Sequence, residues 1–132
     1  MKPIRVLVCD DHTILREGLV ALLAASGDCE VVGQAADGMA AVEMALKLRP
    51  QVVVVDLSMP RLNGIEVVRR LTAELEGVRI LVLTMHSEEE YVVHVVRAGA
   101  SGFLLKDSAG SELLAAVRAL AAGRGYFGGH AA

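Results

Sequence analysis

Residues 51–57 read Gln51-Val52-Val53-Val54-Val55-Asp56-Leu57. Four consecutive β-branched side chains lose χ1 freedom in a helix and suit a strand. A strand that is apolar at every position, rather than at alternate ones, has to be covered on both faces, as a central strand of a parallel sheet is. The apolar run then stops abruptly at an acid, Asp56.

The flanks repeat the same alternation. Upstream, residues 40–48 place Val42 and Leu46 with the small Ala41 and Ala45 at helical spacing, and Pro50 ends that helix. Residues 30–36 form a weaker strand. Residues 13–25 carry Leu15, Leu19, Leu22 and Leu23 on a helix that Gly27 stops, and residues 4–9 are a short apolar strand interrupted only by Arg5. Downstream, Asn63 is a helix N-cap with Glu66 three residues on, ahead of Val67, Val68 and Leu71. Residues 78–83 are a fourth strand. Ser87 with Glu90 forms a capping box for a helix that runs to about Arg97 and is closed by Gly99. Residues 102–105 are a fifth strand, and Ser108 caps a last helix bearing Leu113, Leu114, Val117 and Leu120. Five strand–helix units in succession predict an α/β fold, a doubly wound five-stranded parallel sheet with helices on both faces. The domain is expected over residues 1–121. Residues 122–132, rich in Gly and Ala, read as a frayed end or the beginning of a linker.

The bulk properties agree. A chain of 132 residues suits one hydrophobic core, and with no Trp and 3% aromatics that core is aliphatic. A formal charge of −3 argues against this segment itself binding nucleic acid. Cys9 and Cys29 lie in strand-like runs and read as buried free thiols, with a reducing compartment as the default. The opening apolar run meets Asp10-Asp11 at once, so it is no signal peptide, and no apolar stretch reaches the ~18 residues of a membrane helix. A soluble, cytoplasmic protein without membrane contact is expected.

In a parallel α/β sheet, ligands gather at the carboxyl ends of the strands. The first strand ends in Asp10-Asp11, the third in Asp56, the fourth in Thr84 and the fifth in Lys106; the second ends near Asp37 with no comparable partner. One sheet edge thus receives three carboxylates, a hydroxyl and an ammonium. Clustered carboxylates raise the cost of ionising one another and call for a cation. An oxygen-only set suits Mg2+ better than Zn2+. The combination suits phosphoryl transfer. Asp56 is placed as the nucleophile, Asp11 as a direct metal ligand and Asp10 as a holder of the ion through water. The Ser58 backbone carbonyl is a further oxygen, Lys106 a charge for the phosphoryl oxygens, and Thr84 a donor that registers the product. Each of these residues alone has an ordinary explanation as a cap or a solvated turn; their convergence on one edge is what carries the reading.

The stretches Val8-Cys9-Asp10-Asp11-His12, Val55-Asp56-Leu57-Ser58-Met59-Pro60-Arg61-Leu62-Asn63-Gly64, Leu83-Thr84 and Gly102-Phe103-Leu104-Leu105-Lys106 resemble the response-regulator receiver family across about residues 4–120. The resemblance implies a flavodoxin-like receiver fold with strand order 2-1-3-4-5. It implies Asp56 as phosphoacceptor, Asp10 and Asp11 as the Mg2+-binding acids, Lys106 as the family lysine, and Thr84 and Phe103 as the switch pair. It places the output surface at about residues 87–121. A sensor histidine kinase is implied as phosphodonor, and a homodimer on phosphorylation is a further implied partner. Arg16-Glu17-Gly18-Leu19, Met85-His86 and Ala98-Gly99-Ala100 are similar to the NarL/FixJ branch, whose members regulate transcription through a C-terminal helix-turn-helix domain. No such domain is present here, so DNA is a partner only through it. Two departures stand out. Phe103 lacks the hydroxyl of the Tyr often found there, and Asp107 replaces the Pro that often follows the lysine.

His12, His86, His94 and His130 show no metal-ligand spacing; His86 alone is close enough to Thr84 to influence phosphate hydrolysis. Glu88-Glu89-Glu90 complements a helix N-terminus. The competing readings are an aspartate-nucleophile phosphatase, a partner-binding pseudo-receiver without phosphorylation, and a dinucleotide-binding domain. Ser58 stands where the phosphatase needs a second acid. The complete acidic pocket counts against the pseudo-receiver, and no Gly-rich turn follows the first strand. A slowly self-dephosphorylating switch, rather than a turnover enzyme, is the expected class.

Overall fold

The computed structural model describes residues 2–57, 59, 63–85 and 89–127, without the side chains of residues 89–91. The chain runs β1 (Ile4–Cys9), α1 (Thr13–Ala25), β2 (Cys29–Ala35), α2 (Gly38–Leu48), β3 (Val52–Asp56), α3 (Gly64–Glu74), β4 (Arg79–Thr84), α4 (Glu89–Ala98), β5 (Gly102–Leu105), a 3-10 turn (Lys106–Ser108), α5 (Ala109–Ala121) and β6 (Tyr126–Phe127). The strands form one sheet in the order β2-β1-β3-β4-β5-β6. Every pairing is parallel.

Val52, Val53, Val54 and Val55 are all fully buried. Strand alternation divides them. Val52 and Val54 pack with Val6, Val8, Leu81, Leu83 and Leu104 against Leu19 and Leu23 of α1 and Leu113, Val117 and Leu120 of α5. Val53 and Val55 pack with Leu7, Cys9, Val82 and Phe103 against α2, α3 and α4. Burying a valine side chain contributes about 1.5–3 kcal/mol, so a continuous apolar run is stable only with both layers of helices in place. Cys9 and Cys29 are buried free thiols, and burial pushes the Cys9 thiol far up and the Cys29 thiol up.

The helix ends follow local chemistry. Asn63 accepts from Glu66 N at 3.1 Å, while the Glu66 carboxylate meets Arg69 at 3.4 Å. Asp37, read as a strand end without a partner, accepts from Ala40 N at 2.9 Å and caps α2. Pro50 disfavours helical geometry in the residue before it, and Arg49 ends α2 at φ 49°. The Arg5 guanidinium donates to the terminal carbonyls of Leu48 and Arg49 at 2.8 and 2.9 Å. Ser108 differs from expectation. It lies in the right-handed helical region (φ −96°, ψ −6°), and its side chain makes no capping bond. An N-cap needs extended backbone, which the 3-10 turn from Lys106 removes. The Ser87–Glu90 capping box involves residues outside those described.

The tail also differs from expectation. Residues 123–127 return to the sheet, and Tyr126 and Phe127 add a sixth, short strand beside Gly102 and Phe103. Arg79 fastens this return by donating to the carbonyls of Leu120 at 3.2 Å and Arg124 at 2.9 Å. The Tyr126 hydroxyl donates to Glu112 at 2.7 Å.

Candidate functional site

The strand order reverses direction at β1, which lies between β2 and β3. The crevice at the carboxyl ends of β1 and β3 is therefore the topological switch point where ligands bind in such sheets. Asp10 follows β1 and Asp56 ends β3, and register partners Cys9 and Val55 bring the two acids side by side. Asp10 N donates to Ala35 O at 3.0 Å, which holds the acid on the sheet edge. The Arg16 guanidinium donates to Asp10 O at 2.7 Å and to Gln34 at 3.1 Å, tying α1 to the ends of β1 and β2.

The charges are concentrated. Asp10, Asp56, Thr84 and Lys106 are the buried polar side chains among the described residues. Lys106 Nζ donates to Asp56 Oδ2 at 2.9 Å and lies 3.5 Å from Asp10 Oδ2. Asp10 Oδ1 accepts from His12 N at 2.8 Å, whereas Oδ2 is buried and accepts no hydrogen bond. Burial raises the Asp10 pKa and the Asp56 charge adds to this; the His12 backbone N–H and the Lys106 ammonium oppose it.

Thr84 is buried at the end of β4, one step beyond Leu83, the register partner of Asp56. Alternation puts Thr84 on the face of Val82, and Val82 pairs with Phe103. Phe103 is fully buried in the core that also holds Val55 and Val82. The expected switch pair thus occupies adjacent strands, Thr84 on β4 next to the strand of Asp56 and Phe103 on β5 beyond it. No cis peptide bond occurs among the described residues, and Lys106-Asp107-Ser108 turn directly from β5 toward α5.

Two residues emerge that had no assigned role. His12 sits on the acids, its Nδ1 3.1 Å from Asp10 Oδ1, 3.4 Å from Asp11 Oδ1 and 3.8 Å from Asp56 Oδ2. The histidines form no sequence-spaced set, so spacing gave no sign of this; adjacency to Asp10-Asp11 was the available signal. At Gly64, a Cβ would lie 2.5 Å from Leu57 Cα and 2.7 Å from Asp56 O. Glycine is what allows the chain to return over the Asp56 backbone, with Gly64 N donating to Leu57 O at 3.0 Å. Ser58 and His86 lie outside the described residues.

The donor set suits a divalent cation. Ligating atoms of Asp10, Asp11, His12 and Asp56 all lie within 4.8 Å of one another. The buried Asp10 Oδ2 that accepts no hydrogen bond marks a place where positive charge is wanted. No helix among the described residues is long and apolar enough to cross a membrane.

A profile of the response regulator receiver domain matches residues 6–118. The chain is 42% identical over 123 residues to the transcriptional regulatory protein DegU of Brevibacillus brevis, covering 93% of this chain and 52% of DegU. It is 42% identical over 120 residues to the transcriptional regulatory protein LiaR of Bacillus subtilis (strain 168), covering 91% of this chain and 57% of LiaR. The chain therefore spans about half the length of these curated relatives. Among solved structures, the signal receiver domain of NarL from Mycobacterium tuberculosis superposes with a TM-score of 0.90 at 40% identity, covering 94% of this chain and 100% of that domain.

Proposed function

The chain belongs to the response-regulator receiver domain family of two-component systems, and from that premise we propose that Asp56 is its phosphoacceptor and that Mg2+ is the ion of its acidic pocket. The observation that carries the proposal is the Lys106 ammonium on Asp56 Oδ2 at 2.9 Å, with Asp10 and Asp11 beside it.

The phosphodonor is a phosphohistidine of a sensor kinase. An Asp56 carboxylate oxygen attacks phosphorus, the new O–P bond forms as the P–N bond breaks, and the electron pair leaves on the kinase imidazole, which takes a proton. Asp10, Asp11 and Asp56, with the Ser58 carbonyl, would hold Mg2+, which would supply charge neutralisation for the phosphoryl oxygens. Lys106 holds Asp56 before transfer and follows the phosphoryl oxygens after it, since an ammonium is a point charge with three donors. Thr84 donates its hydroxyl to the product, and Phe103, already buried on the neighbouring strand, repacks as Thr84 moves. With Phe103 in place of Tyr, packing alone reports the active state.

The relatives are transcriptional regulators. Carried to this chain, that supports reading it as the input half of a cytoplasmic regulator. Its phosphorylated form pairs with a second copy and acts on DNA through a helix-turn-helix domain beyond residues 1–121. It hydrolyses its own phosphate slowly and turns over no other substrate.

Intact-mass spectrometry after incubation with Mg2+ and acetyl phosphate tests the centre of this reading. One phosphoryl group is gained by the wild type, and none by Asp56→Ala or in EDTA. A folded wild type that gains nothing from any donor overturns it in favour of a partner-binding pseudo-receiver.

A further inference from the structure

We propose that His12 is a metal ligand, and that its Nδ1 gives the acidic pocket a preference for divalent transition ions over Mg2+. The inference rests on the reading of that pocket as a metal centre and adds a fourth side chain to it.

Three observations converge on His12. The first is distance. Two ligands about 2.0–2.2 Å from one ion lie roughly 3 Å apart when cis and about 4 Å apart when trans. Nδ1 stands 3.1, 3.4 and 3.8 Å from oxygens of Asp10, Asp11 and Asp56. These are the separations of atoms sharing an ion. The second is direction. Lys106 Nζ lies 2.9 Å from Nδ1, and an ammonium has no lone pair to accept with. Toward that ammonium Nδ1 presents its lone pair, in the tautomer a metal requires, whereas the other tautomer donates to Asp10 Oδ1 at 3.1 Å. The same ammonium touches Asp56 Oδ2 at 2.9 Å and faces Asp10 Oδ2 at 3.5 Å, so the position favours positive charge. The third is independent of His12. Asp10 Oδ2, on a fully buried side chain, accepts no hydrogen bond and faces the same point.

The backbone explains why the ring is available. His12 is the residue before α1 and has extended geometry, φ −85° and ψ 101°, yet its side chain makes no capping bond to that helix. The ring folds back over the acids instead, with 58% of the side chain exposed. The imidazole thus stands between the acids and solvent.

Donor chemistry then sets the preference. Carboxylate, carbonyl and water suit Mg2+, which needs nothing from a nitrogen; imidazole suits the later transition ions. With His12 ligating, Co2+ and Ni2+ gain a bond that Mg2+ does not use.

The test is titration of the full 132-residue chain with Co2+ alone and with Mg2+ alone, following the visible bands of Co2+ and the heat of Mg2+ binding. His12→Ala and His12→Gln are compared with wild type, and thermal melts show that each is folded. The expected result is Co2+ binding weakened at least about tenfold in His12→Ala, with Mg2+ affinity unchanged. Pulsed EPR of Mn2+-loaded wild type shows coupling to an imidazole nitrogen that His12→Ala lacks. Equal Co2+ affinity in wild type and variant, or an equal loss for both ions, overturns the role of His12 while leaving the metal centre standing. Failure of the wild type to bind either ion overturns the centre and His12 together.

Discussion

Asp10 is fully buried, and one of its carboxylate oxygens accepts no hydrogen bond. Burial, then the neighbouring Asp56, raise its pKa. A raised native pKa means the folded state holds the proton more tightly than the unfolded chain. The stability linked to Asp10 is therefore full below the ordinary carboxylate range and is lost as pH rises through the raised value. At neutral pH the site costs stability that a cation in the proposed metal centre would restore. Asp10→Asn in metal-free buffer is expected to raise stability by ~1–3 kcal/mol, the range for relieving a poorly satisfied buried group, and to abolish any rise in Tm on adding Mg2+. Calorimetry with and without EDTA checks both; a lower metal-free Tm would contradict the account. Gly64 makes the opposite demand. A Cβ there meets backbone at 2.5 and 2.7 Å, which no rotamer change relieves. Gly64→Ala should cost ~1–3 kcal/mol as an overpacking change and slow the mass gain at Asp56 by moving its carbonyl. An unaltered rate would mean that the loop absorbs the methyl. Asp10, Asp56, Thr84 and Lys106 were legible because a parallel sheet delivers every strand end to one edge. His12 and Gly64 were not, because ring direction and backbone approach are set by tertiary contacts that spacing does not encode.

Most elements were legible from apolar runs and their punctuation. Val52-Val53-Val54-Val55 gave β3, and Gly27, Pro50 and Gly99 ended α1, α2 and α4 near the expected places. Ser108 misled because its type suits a cap while the 3-10 turn before it imposes helical backbone. Long-range pairs were illegible altogether. Arg118 of α5 reaches Asp28, before β2, through Nε at 2.7 Å and Nη2 at 3.1 Å. This guanidinium holds the Asp28 carboxyl down at about 2, with Ser26 assisting. A lowered native pKa contributes stability that is present above the ordinary carboxylate range and lost as pH falls through about 2. Arg118→Ala should return the Asp28 titration to the ordinary range and flatten the acid limb of stability between those limits. Carbon-detected NMR titration of the Asp28 carboxyl measures the first, acid unfolding the second. A carboxyl still titrating near 2 without Arg118 would assign the shift to Ser26 and the local backbone instead.

Across the whole molecule, the sheet separates two apolar cores, and β6 touches both: Phe127 joins the core of α2, α3 and α4, while Tyr126 joins that of α1 and α5. Gly and Ala around these two aromatics hid the strand, because two residues show no periodicity and their partners, Gly102 and Phe103, lie more than twenty residues earlier. The strand needs Gly102 as well, since a Cβ there would come within 2.7 Å of Tyr126 O. A boundary at residue 121 would therefore remove an edge strand that pairs with the proposed switch residue Phe103. Deleting residues 123–132 keeps the helical residues of α5 but removes the bonds that Gly123 N and Arg124 N donate to Leu120 O and Ala119 O. It is expected to keep the fold and lower stability by about 1–2 kcal/mol. That is the scale for exposing part of two aromatic side chains, and for a domain of this size it lowers Tm by several degrees. Gly102→Val should reproduce part of the loss by pushing Tyr126 off β5, and in both variants the Phe103 amide should exchange hydrogen faster than in wild type. An unchanged Tm after deletion would return residues 122–132 to a linker and set the domain's end at α5. A loss shared by the deletion and Gly102→Val would extend the domain to Phe127 and make β6 the edge strand that supports Phe103.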